Sequence, residues 1–405
     1  MSPSHGSETD MRHWKMLGLL ALAELLGMSV WFSASAVSAQ YRAMWQLSPA
    51  ETGWLTTIVS LGFVCGTAIA AILNLADVVP GRLLFSVSAC IASLTNAALL
   101  ADPGYRATLF FRFLTGVSLA GVYPPGMKMV ATWFKARRGL AVGSLVGALA
   151  VGKGAPYLVH AFPGAGVHQV IATATVFAFS AAVLVAVAYS DGPFPFPPRK
   201  FSWGLVGEVI RQRQWRLASG GYFGHMLELY AAWTWLPVFV AASIAAHGDR
   251  GTYAESMTNA IAFAALAAGG LGCVWGGFAA DRRGREWLVT LAMSGSGLCA
   301  LTIGFAFGRS LWLLVPVALA WGFLVVADSA QFSVLVTESV PPHAVGTALT
   351  LQTSIGFLLT MITIQLTPVV AAAVGWRWAF PMLALGPVLG IASIRRLVVS
   401  KRAIG

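Results

Sequence analysis

Charge is scarce in this chain. Only 10% of its 405 residues are Asp, Glu, Lys or Arg, against 57% hydrophobic residues. No single soluble core could hide that much apolar surface, so a water-soluble globular protein is excluded and the solvent is a bilayer. Cysteine is scarce too. Cys65, Cys90, Cys273 and Cys299 all fall inside apolar runs, which excludes a disulfide framework or a Cys-rich metal motif and leaves small packing residues. Long polar segments are also missing: the longest stretch between apolar runs has 26 residues, 191–216, too short for a soluble catalytic domain.

A nucleotide site is absent as well, although GALAVGKGAP (147–156) imitates one. Gly147, Gly152 and Lys153 reproduce GxxxxGK, but Gly154 stands where the motif needs a hydroxyl for magnesium, and no strand precedes it. The net charge of +11 would otherwise invite a nucleic-acid partner. Its excess is spread over short loops and the tail instead of forming one basic face, so none is expected.

What remains is hydrophobic length. A spanning helix needs roughly 20 apolar residues, and twelve runs qualify: 14–37, 52–73, 83–100, 108–131, 139–161, 170–190, 217–243, 257–280, 287–306, 311–337, 344–373 and 378–394. Most Lys and Arg, among them Arg12, Arg137, Arg138, Arg213 and Arg395, fall on one side of them. Arg42, Arg106, Arg250, Arg309 and Arg377 fall on the other. The positive-inside rule then places both termini in the cytoplasm, in a plasma (inner) membrane. The start of the first run resembles a signal peptide, with Arg12, Lys15 and the small-residue string SASAVSAQ. Glu24 lies in its middle, and the run is read as a retained helix.

The two halves echo each other. Glu24 precedes Trp31 by seven residues in AELLGMSVW, and Glu228 precedes Trp235 by seven in LELYAAWTW, which puts each pair on one helix face. After the eighth run comes GGFAADRRGR (276–285); after the second, the weaker NLADVVPGR (74–82). The expected fold is an all-α membrane protein of twelve helices in two six-helix bundles, 1–190 and 217–405. A cytoplasmic connector, 191–216, joins them and carries a short amphipathic helix near Val206–Trp215.

The GxxxDRxGR loop resembles the signature of the major facilitator superfamily of transporters. RFLTG (112–116) and GWRWAF (375–380) resemble two further elements of it. The resemblance implies a conformational latch made by Asp77 and Arg82 in the first half and by Asp281, Arg282 and Arg285 in the second, with the second stronger. It also implies that helices one, four, seven and ten line a central cavity. The run ATWFKARRGLAVG (131–143) resembles the small-anion porters, but the basic residues that nitrate and oxalate carriers place in helices two, eight and eleven are missing here. Drug antiporters favour GPxxGG in the fifth helix, where this chain has GAPYLV.

An ionisable group near the bilayer centre costs at least about 2.5–3.5 kcal/mol, so each is a functional candidate. Glu24, Arg112, Glu228 and Asp328 lie one each on runs one, four, seven and ten. Lys128 and Glu338 lie near inner ends, where a side chain can snorkel. Lys153 is too deep for that: it either neutralises a buried acid such as Glu24 or holds an anionic substrate. Gly139, Gly143 and Gly147 make a flat stripe for close helix packing beside it. Glu24, Glu228 and Asp328 are read as proton-coupling or gating residues. Arg112, Lys153, Trp31, Trp235 and Tyr157 are read as substrate contacts. His225, one turn from Glu228, is read as a helix-face histidine and not a metal ligand.

The expected function is proton-coupled symport of a small polar metabolite, an organic anion, by alternating access. The expected protein is a monomer in the bilayer with no resident cofactor. A proton-driven exporter of a cationic or amphipathic compound is the alternative, and a receptor or membrane enzyme the alternative of another class; no Ser/His/Asp group, metal cluster or nucleotide loop supports an enzyme.

Overall fold

The computed structural model describes residues 5–134, 138–195, 202–249 and 251–402, except for the side chains of 5–10 and 138. Lys135, Arg137, the connector residues 196–201 and Arg250 lie outside the described residues.

Every regular element among the described residues is helical. The first half holds α1 (His5–Met28), α2 (Ser33–Ala36), α3 (Ser38–Trp45), α4 (Pro49–Ile72), α5 (Leu75–Val78), α6 (Gly81–Ala97), α7 (Tyr105–Leu119), α8 (Tyr123–Ala131), α9 (Arg138–His160) and α10 (Val167–Ala188). The second holds α11 (Trp203–Arg211), α12 (Arg213–His247), α13 (Thr252–Arg283), α14 (Arg285–Thr302), α15 (Leu311–Ala327), α16 (Ser329–Thr337), α17 (Val345–Val374) and α18 (Leu385–Arg402). Among the described residues, ten helical segments are long and apolar enough to cross a membrane. The runs expected at 14–37 and 108–131 are not single unbroken helices. The connector helix also differs from expectation, ending at Arg211, after which α12 begins at Arg213 and runs for 35 residues.

Local chemistry explains the boundaries. Ser48 caps α4: its hydroxyl accepts from the Glu51 amide while the Glu51 carboxylate accepts from the Ser48 amide, and Pro49 takes the first helical position, where no amide proton is needed. Between α7 and α8, Pro124 and Pro125 have no N–H to offer the carbonyls of Ala120 and Gly121, so the fourth run breaks at 120–122. Between α13 and α14 the chain turns at Gly284, whose φ of +92° favours a residue without a Cβ.

Two packing seams cross between the halves: α9 on α13 and α4 on α17. Gly143 and Gly147 bring the α9 backbone against the α13 backbone at Cys273, Gly277 and Gly270, and Gly139 lies beside Gly277. One buried apolar cluster runs through both halves.

Candidate functional site

The site is built around a broken first run. α1 ends at Met28, residues 29–32 form turns, and the Val30 and Trp31 carbonyls lose their helical amide partners. Arg112 of α7 supplies donors instead. Its guanidinium donates to the Val30 carbonyl at 2.6 Å, to the Ser33 hydroxyl at 3.2 Å and to the Trp31 carbonyl. Arg112 is fully buried, and the structure spends it on this backbone, where it fixes the position of Trp31.

Lys153 points at that tryptophan. Gly152 and Gly154 let α9 pinch between α1 and α13, with Gly152 on the Leu25 backbone and Gly154 on Phe263 and Leu266. The Lys153 ammonium donates to the Tyr230 hydroxyl and lies 4.1 Å from the Trp31 ring centroid, 4.7 Å from Tyr230 and 5.4 Å from Trp233. Phe357 packs on Trp31 at 5.6 Å and on Tyr230 at 5.1 Å. Phe32 and Phe63 complete a cluster drawn from both halves. Lys153 is 2% exposed and forms no ion pair with any described acid. Desolvating a lone ammonium costs several kcal/mol, and a cation–π contact away from water returns only about 2 kcal/mol. An ammonium has three donors, and Tyr230 accepts one of them.

No acid touches that ammonium, although Glu24 lies within electrostatic reach of it. Glu24 is fully buried in the first half beside Gly126 and Phe85, and neither of its carboxyl oxygens has a hydrogen-bond partner. Glu228 faces into the second half, where it accepts from Trp321 Nε1 at 2.7 Å and Ser296 Oγ at 2.8 Å. Asp328 stands between α15 and α16 with its Oδ1 2.9 Å from His225 Nδ1. The repeated Glu–Trp pairs therefore occupy different surroundings, since Trp235 donates to the Ile364 carbonyl at 2.8 Å and packs on Trp376 at 5.6 Å.

Trp235 lines a cavity of about 750 Å³ together with Ser35, Thr52, Tyr157, His160 and Trp376. This vestibule lies at the ends of α9, α12 and α17 opposite the turn between α13 and α14. Tyr157, one helical turn from Lys153 on α9, belongs to its wall. His160 bridges three elements there: Nδ1 is 2.8 Å from the Ala36 carbonyl, and Nε2 is 3.2 Å from Glu255 Oε1 and 3.3 Å from Gln40. The contact with Glu255 crosses between the halves.

At the other end the ionic pairs differ from those the loop motif implied. Arg285 meets Glu338 at 2.9 Å, not Asp281, and Lys401 meets Glu286 at 2.8 Å and Glu338 at 3.9 Å. Arg282 lies over the Phe278 ring at 3.9 Å, and Asp281 reaches Gly139 near the start of α9. In the first half Asp77 pairs with Lys128, which also donates to the Ala76 carbonyl at 2.6 Å. Lys128, read as a snorkelling anchor, is thus ion-paired with Asp77, and Glu338 with Arg285 in the second half. For Arg82 no comparable pairing is seen among the described residues.

A model of the Major Facilitator Superfamily matches residues 19–364. Two curated relatives are similar. The niacin transporter NiaP of Acinetobacter baylyi is 37% identical over 94 residues, which cover 23% of this chain and 20% of that protein. A Bacillus subtilis protein, provisionally named the niacin/nicotinamide transporter NiaP, is 24% identical over 342 residues, 81% of this chain and 83% of that protein.

Proposed function

The chain belongs to the major facilitator superfamily, and from that premise we propose that it is a proton-coupled secondary transporter of a small aromatic carboxylate, working by alternating access. The observation that carries this reading is the Lys153 ammonium, held among Trp31, Tyr230 and Trp233 with no acid paired to it. A carboxylate supplies the missing counter-charge, and a flat ring stacks on the indoles. The two relatives carry niacin in their names, and a pyridine carboxylate has both features. A cationic cargo fits poorly beside an unpaired ammonium, which disfavours the cation exporter.

In this reading the twelve runs form two six-helix bundles, 1–190 and 217–405, joined by the connector 191–216, with both termini on the cytoplasmic side of the plasma membrane. Lys153 and Trp31 contact the substrate. Tyr157 and Trp235 wall its way in, and Arg112 acts indirectly by setting Trp31. Glu24, with no hydrogen-bond donor of its own, takes up and gives back the coupled proton, because an ionised carboxylate there has only the charge of Lys153, with which it makes no contact, to offset its burial. Glu228 and Asp328 serve the second bundle.

The test is uptake of radiolabelled nicotinate and nicotinamide into proteoliposomes, with and without an inward-acid pH gradient. The expected result is accumulation of nicotinate that collapses when the gradient is abolished. Equal handling of the neutral amide, or no flux of either compound, would overturn the anion assignment.

A further inference from the structure

Where the tenth run breaks, one histidine holds both sides of the break. α15 stops at Ala327, Asp328 has φ −93° and ψ −12°, and α16 starts at Ser329. From α12, His225 places Nδ1 2.9 Å from Asp328 Oδ1 and Nε2 2.9 Å from Ser329 Oγ. The ring is 2% exposed, with Phe332 at 5.2 Å and Tyr222 at 6.0 Å covering it. No proline or glycine accounts for this break. The side-chain contacts at it come from another helix.

The surrounding chemistry is sparse. On its own helix His225 has Tyr222 and, one turn away, Glu228, which is engaged by Trp321 and Ser296. From α13 the Cys273 thiol lies near Asp328 and is bound to the Val326 carbonyl at 3.3 Å. From the first half Tyr123 is within electrostatic reach of Tyr222. α17 contributes no charged side chain, and α18 meets α12 at this level through Gly386 and Gly390. Among the described residues Asp328 is thus the one acid at contact distance.

We propose that His225 is a proton-transfer residue, coupling proton uptake to the bend of α15 against α16 through its simultaneous contacts with Asp328 and Ser329. The inference rests on the proton-coupled reading given above. In the neutral ring the proton sits on Nδ1, the nitrogen 2.9 Å from Asp328 Oδ1, which accepts no aligned hydrogen bond in this arrangement, and Nε2 accepts from the Ser329 hydroxyl. One incoming proton forms a bond to the Nε2 lone pair. The Ser329 O–H then turns away and its oxygen accepts from Nε2–H, because two hydrogens cannot face each other. The imidazolium and the carboxylate now grip the break as an ion pair. Loss of the same proton to the other side restores the neutral ring and frees α16 to move.

The experiment compares wild type with His225→Asn, which keeps a donor near Asp328 but does not titrate. Two readouts are taken in proteoliposomes: nicotinate counterflow at equal pH on both sides, and gradient-driven accumulation across about pH 5.5 to 8, where histidine changes charge. The expected result is counterflow within about twofold of wild type, accumulation at least about tenfold lower, and a flattened pH profile, as for an uncoupled carrier. Accumulation with the wild-type pH profile overturns the proposal. So does an equal loss of both readouts, which marks a purely structural role. If His225→Asn is not recovered folded, Asp328→Asn is read in the same way, with the same expectation. A wild type that neither exchanges nor accumulates nicotinate removes the transport reading, and the inference with it.

Discussion

A lysine among indoles and a phenol, with no acid in contact with it, is poorly stabilised, and its removal should show that. Replacing Lys153 by Met keeps the length and fills the cage with apolar atoms, which for a lone buried charge is expected to leave stability unchanged or raised. Affinity for nicotinate should nevertheless fall about ten- to hundredfold, the worth of one charge-assisted hydrogen bond. Binding and thermal unfolding measured on one preparation decide the matter: an unchanged affinity with a lower melting temperature would make Lys153 structural. Glu24→Gln is the complementary case. Gradient-driven accumulation should be lost while exchange persists, and wild-type accumulation in this variant would remove Glu24 from the coupling step. Much of this was legible in the sequence, because a charge inside an apolar run stands out whatever its partners. The partners were not legible. His225 and Asp328 are separated by about a hundred residues, and nothing local marks them as neighbours. Lys128 was indistinguishable from a snorkelling side chain until Asp77 was seen against it.

Among the helices, the breaks matter most. The fourth is announced by Pro124 and Pro125, but the first occurs in the stretch Ser29–Phe32, which contains neither proline nor glycine, and periodicity carries no sign of it. It persists because Arg112 satisfies carbonyls that a continuous helix would have bonded itself. Arg112→Ala leaves the carbonyls of Val30 and Trp31 without those donors, at about 1–3 kcal/mol for a buried unsatisfied group. Calorimetry should record a lower unfolding temperature, and substrate affinity should fall with it as Trp31 shifts. An unaltered melt would mean that the first run reseals as a straight helix. The glycine stripe on α9, by contrast, was readable from its four-residue spacing, because close backbone packing needs small residues in register.

For the molecule as a whole, one end is tied by Arg285, Glu338, Lys401 and Glu286 within the second half, and the vestibule end by His160 and Glu255 across the halves. Glu255→Gln should loosen the vestibule, so that a cysteine introduced at Ser35 reacts faster with a membrane-impermeant maleimide. A rate equal to that of Ser35→Cys alone would mean that His160 is held by Ala36 and Gln40 without help from the second half. The loop motif foretold that ionic pairs would gather near 276–285. It did not name Glu338 as the acid against Arg285, because a signature records residue types and not which helix end lies within reach.

The seam between α9 and α13 has glycine against glycine, with backbone touching backbone and no side-chain charge at Gly143 or Gly147. Dispersion contacts of that kind are indifferent to ionic strength, whereas ion pairs between partly exposed side chains are weakened by salt. Raising the electrolyte should therefore slacken the clasp of Arg285, Glu338, Lys401 and Glu286 while the glycine contact keeps its grip. The carrier's resting shape in brine is then set by where its backbone can lie flush.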